Sequence, residues 1–166
     1  MKIILMMAMT ADGKIAKSSD HFPNWTSKED KKMFMEVTKE HGTVIMGDKT
    51  FFTFPKPLPD RLNVVFTLLE NPPETENVKW VGGDPEQVLL ELKKMGYKSA
   101  VLGGGKYMNS QFLEKKLIDE IWLTIEPKIF GDGLGVFSGD FNIDLKLLDV
   151  EKINENSVVV KYKVMN

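Results

Sequence analysis

Four short apolar runs most constrain what this chain can fold into. Residues 2–9, Thr43–Met46, Leu62–Thr67 and Lys98–Leu102 are strand-length and rich in apolar side chains. Strands apolar on both faces need cover on both faces, which is the mark of a parallel sheet between helices. Helix signals lie between the runs. Thr26-Ser27 followed by Glu29-Asp30 is a capping signature, and it predicts a helix from about Ser27 to Glu40 that stops near Gly42. Asp84-Pro85 pairs a good N-cap with a good first helical residue, and that helix should end at Gly96. A short helix should follow Gly103-Gly104-Gly105 and run to about Glu114, and Thr50–Phe54 suits a helical turn broken by Pro55, Pro57 and Pro59. Val78–Val81 and Asp119–Glu126 read as further strands. Leu145–Val150 and Ser157–Val164 alternate like an antiparallel pair. The pattern predicts one α/β domain with a mostly parallel sheet closed by antiparallel C-terminal strands. Ala11–Lys14 and Gly131–Gly135 read as turn and loop, and residues 16–24, polar and holding Pro23, as a mobile loop.

Composition removes several function classes. The net charge is −2, so there is no basic footprint for nucleic acid. The chain has no cysteine, which excludes disulfides, thiolate metal sites and a thiol nucleophile and fits a reducing, cytoplasmic setting. No apolar run reaches the roughly 20 residues of a membrane helix. The apolar start could pass for a short secretion signal. It lacks a small-residue cleavage site and flows into Ala-Asp-Gly-Lys-Ile-Ala (11–16), so it reads as a first buried strand. His21 and His41 share no helix face with a carboxylate pair, no His/Asp/Glu cluster has metal spacing, and no metal site is expected.

Some residues carry more chemistry than their neighbours. Asp30 and Phe34 lie four apart on one helix face, and an acid on an apolar stripe is costly to bury unless it binds something. Glu29, turned about 100° away around the helix, should be solvated. Trp25 could wall the acid or serve only as a hydrophobic staple. Gly103-Gly104-Gly105 follows a strand and precedes a helix, where backbone N–H groups and the positive helix end can hold a pyrophosphate. It is not the G-x-G-x-x-G pattern, and a three-glycine turn is as readily just a tight turn. Gly47-Asp48-Lys49-Thr50 repeats the scheme, and two such turns at one sheet edge could grip a dinucleotide. Arg61 follows Pro57-Leu58-Pro59-Asp60, a rigid turn that could aim it at a carboxylate. Thr124 is most simply a satisfied strand hydroxyl.

In order and spacing these features resemble dihydrofolate reductase over essentially the whole chain. The resemblance implies that family's fold: a mostly parallel eight-stranded sheet with an antiparallel C-terminal strand and about four flanking helices. It implies reduction of 7,8-dihydrofolate to tetrahydrofolate by hydride from NADPH, with Asp30, Trp25 and Thr124 as catalytic residues. Met7, Ala8, Phe34, Phe54, Leu58 and Arg61 would bind substrate, Arg61 through the glutamate carboxylate. Gly47, Asp48, Lys49, Thr50, Thr67 and Leu68 would hold one end of the coenzyme. Leu102, Gly103, Gly104, Gly105, Lys106, Tyr107 and Met108 would hold the middle, in a glycine loop that carries a cis peptide in the family. Ala8 and Ile15 would line the nicotinamide. The resemblance also implies a homodimer.

Other segments look like the reductases of riboflavin synthesis: Ala11-Asp12-Gly13-Lys14-Ile15-Ala16, Trp25-Thr26-Ser27, Phe112-Leu113-Glu114, Leu117-Ile118-Asp119-Glu120, Glu126-Pro127 and Phe130-Gly131. Reduction of a ribosylaminopyrimidine phosphate is therefore a second reading, and a nucleotide-binding protein without catalysis a third. The coenzyme site departs from the dihydrofolate reductase pattern. Asp48 stands where Arg is usual, and Leu68 where a hydroxyl or Arg is usual. An acid there repels a 2′-phosphate and suits a ribose hydroxyl, which makes NADH an alternative to NADPH. Met108 replaces a frequent Tyr. In the folate reading Asp30 grips the 2-amino and N3 edge of the pterin, hydride goes to C6, the proton reaches N5 through water, and residues 12–24 close over the site.

Overall fold

The apolar runs become buried strands and the capping signatures become helix starts. The computed structural model describes residues 1–165. Its strands are β1 (Lys2–Thr10), β2 (Lys14–Ala16), β3 (Thr43–Gly47), β4 (Leu62–Phe66), β5 (Val78–Val81), β6 (Ser99–Leu102), β7 (Glu120–Glu126), β8 (Leu134–Gly135), β9 (Leu145–Lys152) and β10 (Val158–Val164). Its helices are α1 (Lys28–Glu40), α2 (Asp48–Phe51), α3 (Pro85–Lys94) and α4 (Lys106–Glu114). Eight strands form one sheet in the order β5-β4-β3-β6-β1-β7-β10-β9. Pairing is parallel from β5 to β7 and antiparallel from β7 to β9. The expected fold class is the observed one.

Strand periodicity divides the core into two layers. Successive side chains leave a strand on opposite faces. Ile45 and Val64 therefore join Ile3, Leu5, Leu102 and Phe112 on one face, with Leu92 of α3 and Met108 of α4. Val44, Met46 and Val65 go to the other face, with Phe34 of α1 and Phe51 of α2. Ser27 caps α1, its hydroxyl accepting the Asp30 N–H at 3.2 Å. Asp84 caps α3, accepting the Glu86 N–H at 3.0 Å, with Pro85 in the first turn. Gly96 lies beyond α3 at φ +95°, the left-handed position that glycine fills without strain.

Two expectations are corrected. Lys14–Ala16 and Leu134–Gly135, read as turn and loop, form a separate two-stranded antiparallel ladder. The pieces are three and two residues long, too short for periodicity to show. Their pairing spans about 120 positions of the chain, so only the fold brings them together. Asp12 ties the same region down: its carboxylate accepts the Gly131 N–H at 2.8 Å and the Phe130 N–H at 3.2 Å. The C-terminal pair forms as read, but alternation in β9 buries no face: all eight of its residues are exposed.

Candidate functional site

β1 and β6 part at the carboxyl ends of the parallel strands and leave an opening in the sheet edge. They pair only from Lys2/Ser99 to Leu5/Leu102. Beyond Leu102 the chain turns away through Gly103-Gly104-Gly105 while β1 continues to Thr10 against β7. Crevices at the carboxyl ends of parallel strands are where α/β sheets bind ligands. Met7 and Ala8 border the opening, Ala8 directly beside Thr124 in the register of β1 and β7.

Asp30, in the first turn of α1, lies against Thr124, the strand neighbour of Ala8. It is buried with only 8% exposure, Thr124 is wholly buried, and Glu29 is exposed as expected. Burial pushes the Asp30 carboxyl above the ordinary aspartate value, and the nearby Glu126 charge adds to this. The Thr124 and Thr26 hydroxyls and the Lys31 charge pull the other way without cancelling it. Such a group holds a proton more readily than a surface acid and suits proton exchange with a bound heterocycle. Trp25 stands beside the helix start, its ring edge-on to Phe130 at 5.0 Å between centroids. Its indole N–H is buried and, among the described residues, unpartnered, a donor suited to a ligand or a bridging water.

One stripe of α1 organises the rest. Asp30, Phe34 and Thr38 lie at successive four-residue steps, about 12 Å from first to last at 1.5 Å per residue. Phe34 lies parallel to Phe54, with centroids 6.3 Å apart and 9° between planes. Leu58 sits in the core beneath them. At the far end Arg61 is largely committed to the fold. Its Nε donates to the Pro59 carbonyl at 2.7 Å and its Nη1 to the Met35 carbonyl at 2.8 Å and to the Thr38 hydroxyl. Only Nη2 lacks a hydrogen-bond partner among the described residues, so the bidentate fork expected from sequence is reduced to one free nitrogen.

The two glycine turns lie against each other at the same edge. Gly47 donates to the Gly104 carbonyl at 3.0 Å, and Gly103 to the Ile45 carbonyl at 2.8 Å. Gly104–Gly105 is a cis peptide, as the resemblance implied. A Cβ on Gly103 would meet Phe34 Cζ at 3.1 Å, and one on Gly104 would meet Met7 Sδ at 2.7 Å. Gly105 approaches Thr50 Oγ1 and Gly47 approaches Met108. Gly105 caps α4 with no side-chain bond to its first N–H groups, which point their donors at the turn. Side-chain-free backbone and open amides fit a pyrophosphate, so the residues present suit a dinucleotide. Leu102 is buried core behind the turn, and Tyr107 faces solvent.

Asp48 sits at the flank. Its carboxylate accepts the Lys49 N–H and the Thr67 hydroxyl, both at 2.7 Å. Leu68 beside it is almost wholly exposed, as is Lys49 to a lesser degree. Lys106 is half-buried at the start of α4, and Ile15 lies on β2, packed against the larger core. Sequence reading passed over two residues around Asp30, Thr26 and Glu126. The second is the more consequential. It is buried with Ser27 and Ser157 on its carboxylate. Its signal was its position two residues after Thr124, on the same strand face.

Residues 1–159 match the family model described as RibD C-terminal domain. The chain belongs to that family. It is an oxidoreductase family, and its fold is that of dihydrofolate reductase. A dihydrofolate reductase from Ureaplasma parvum is 36% identical to this RibD C-terminal-type chain over 110 residues, 66% of each protein. The deaminase and 5-amino-6-(5-phosphoribosylamino)uracil reductase of Thermotoga maritima superposes with a TM-score of 0.78 at 21% identity. That match covers 99% of this chain, which spans 56% of the longer protein. The dihydrofolate reductase of Enterococcus faecalis, solved with NADP(H), gives a TM-score of 0.75 at 22% identity, covering 99% and 97% of the two chains. At these identities the structures establish the shared fold. Among the described residues no helix is long and apolar enough to cross a membrane.

Proposed function

We propose that this domain is an NAD(P)H-dependent reductase of an aminopyrimidine-bearing substrate. The observation that carries the reading is Asp30, a buried acid with a raised pKa, facing the same sheet edge as the paired glycine turns. The coenzyme would lie on Gly47 and Gly103–Gly105 and supply a hydride. Asp30 would hold the amino and ring N–H edge of the pyrimidine as a charge-assisted pair, with Thr124 and Thr26 steadying its carboxyl. Phe34 and Phe54 would flank the next part of the substrate, and Arg61 Nη2 would meet an anion at the far end.

Two substrates share that description. The family and the riboflavin-type neighbour favour 5-amino-6-(5-phosphoribosylamino)uracil, at least as strongly as the sequence favours dihydrofolate. We place the ribosylaminopyrimidine first. Arg61 is the specific observation for dihydrofolate: one free nitrogen suits a carboxylate better than a phosphate dianion, and the nearby Lys39 is already paired with Asp60 at 2.7 Å. The deciding test is loss of dihydronicotinamide absorbance with each substrate, run with NADPH and with NADH. Turnover of the ribosylaminopyrimidine alone supports the first reading. Turnover of dihydrofolate alone replaces it with the second. Coenzyme binding without either turnover defeats both and leaves a non-catalytic nucleotide binder. NADH should be accepted at least as well as NADPH, because the Asp48 carboxylate would repel a 2′-phosphate.

A homodimer through β9 fits the same structure. Leu147 and Val150, both more than half exposed, share one face of this edge strand because a bulge separates them. Antiparallel pairing with a second copy about an axis between Leu148 and Asp149 would set Leu147 against Val150 and Lys146 against Glu151, each twice. Sedimentation of the protein and of L147E should show a dimer and a monomer. A monomer at micromolar concentration in both would exclude the pairing.

A further inference from the structure

The sequence Ser27-Lys28-Glu29-Asp30 predicts a capping box, in which the acid at the third helical position reaches back to the backbone N–H of the cap residue. Only half of that box forms. The Ser27 hydroxyl accepts the Asp30 N–H, but the Ser27 N–H donates to Glu126 Oε1 at 2.7 Å, across from β7. The other Glu126 oxygen accepts the Ser157 hydroxyl at 2.7 Å. Glu126 is 3% exposed, and both of its oxygens are satisfied. The Asp30 carboxyl, excused from capping, turns towards Thr26 and Thr124.

We propose that Glu126 is a positioning residue: it takes over the helix cap that Asp30 would otherwise make, and so holds the Asp30 carboxyl free for the substrate. The proposal rests on the assignment of Asp30 as the substrate-binding acid. Without Glu126, the acceptor that a capping box offers the Ser27 N–H is the carboxylate of Asp30 itself, three residues on. The charge of Glu126 has a second consequence. Burial pushes its own carboxyl up, but Ser157 and Ser27 outweigh burial and leave it below the ordinary glutamate value, helped by Lys128. It is therefore an anion at neutral pH. The charged groups facing Asp30 are this anion on β7 and Lys31 on α1, and the polar ones are Thr26 and Thr124. Glu126 is the group among them that opposes ionisation of Asp30.

The test separates the cap from the charge. E126Q keeps an acceptor oxygen for the Ser27 N–H and removes the anion. E126A removes both. The Asp30 carboxyl is followed by carbon NMR of aspartate-labelled protein, its resonance assigned with D30N, across a pH titration without ligand. The titration midpoint of Asp30 should fall in E126Q with protection of the Ser27 amide unchanged. It should fall further in E126A, as Asp30 takes up the Ser27 N–H. With substrate, E126A should lose on the order of 100-fold in kcat/KM, the scale of an angstrom-sized misplacement. E126Q should recover most of that loss, with the acid limb of its pH profile moved down. An Asp30 midpoint no lower in E126A than in E126Q or, if E126A does not fold, no lower in the cap-shortened E126D than in the wild type, overturns the proposal. A midpoint that moves as stated while neither substrate is turned over upholds the cap exchange and overturns only the reductase reading.

Discussion

Replacing Arg61 with Ala should be first a stability defect and only second a binding defect. The guanidinium makes three hydrogen bonds to the fold, to the Pro59 and Met35 carbonyls and the Thr38 hydroxyl. A hydrogen bond involving a charged group is worth about 1.5–3 kcal/mol. Water would reach some of the abandoned acceptors and the bonds share one donor, so the low end and partial additivity apply. The expected cost is about 3 kcal/mol. For a chain of this size that lowers Tm by roughly 6–12 °C. Urea unfolding should show a fall in the midpoint with an unchanged slope. R61K should recover only about 1 kcal/mol, because an ammonium cannot span the three acceptors as a planar fork does. An R61A cost below about 1 kcal/mol would refute the reasoning and mean that Arg61 is held for its ligand alone.

D30N should stabilise the free protein while removing activity. The Asp30 pKa is raised on folding, so its contribution is fully present below the ordinary value of 3.8 and is lost as pH rises through the folded value. The variant should therefore unfold at a higher temperature than the wild type at pH 7 and match it near pH 3; equal melting at both would contradict the burial. F112A should cost about 3–5 kcal/mol, because Phe112 has no exposure and packs edge-on to Phe66 at 6.0 Å; urea unfolding measures it. G104A should weaken coenzyme binding by about tenfold or more, a loss of at least about 1.4 kcal/mol. Its Cβ would meet Met7 Sδ at a position whose φ is +92°. Titration of intrinsic tryptophan fluorescence with NADH reads the change.

The sheet, its helices and the place of Asp30 on the apolar stripe of α1 were legible in the sequence because each rests on local rules. Apolar runs marked β1, β3, β4 and β6. Ser27 and Asp84 marked helix starts, and the step from Asp30 to Phe34 placed both on one stripe. The glycine turns announced themselves by position, strand before and helix after. What was not legible is pairing over long stretches of chain. The β2–β8 ladder joins short pieces with no pattern of their own. Full exposure of β9 could not be read, because alternation specifies two faces and not what covers them.

By itself the sequence determined the layer architecture and the reductase superfamily and pointed to the carboxyl edge as the place of the candidate site, since periodicity, capping and glycine conformations act within a few residues. Tertiary structure alone decided how the polar groups share their partners. Arg61 looked like a free fork and is mostly bound to carbonyls from α1 and its own turn. Asp30 looked like half of a capping box and is released from it by Glu126, about a hundred positions later. A buried donor or acceptor takes whichever partner the fold brings within hydrogen-bond distance, and that distance is not written in local sequence.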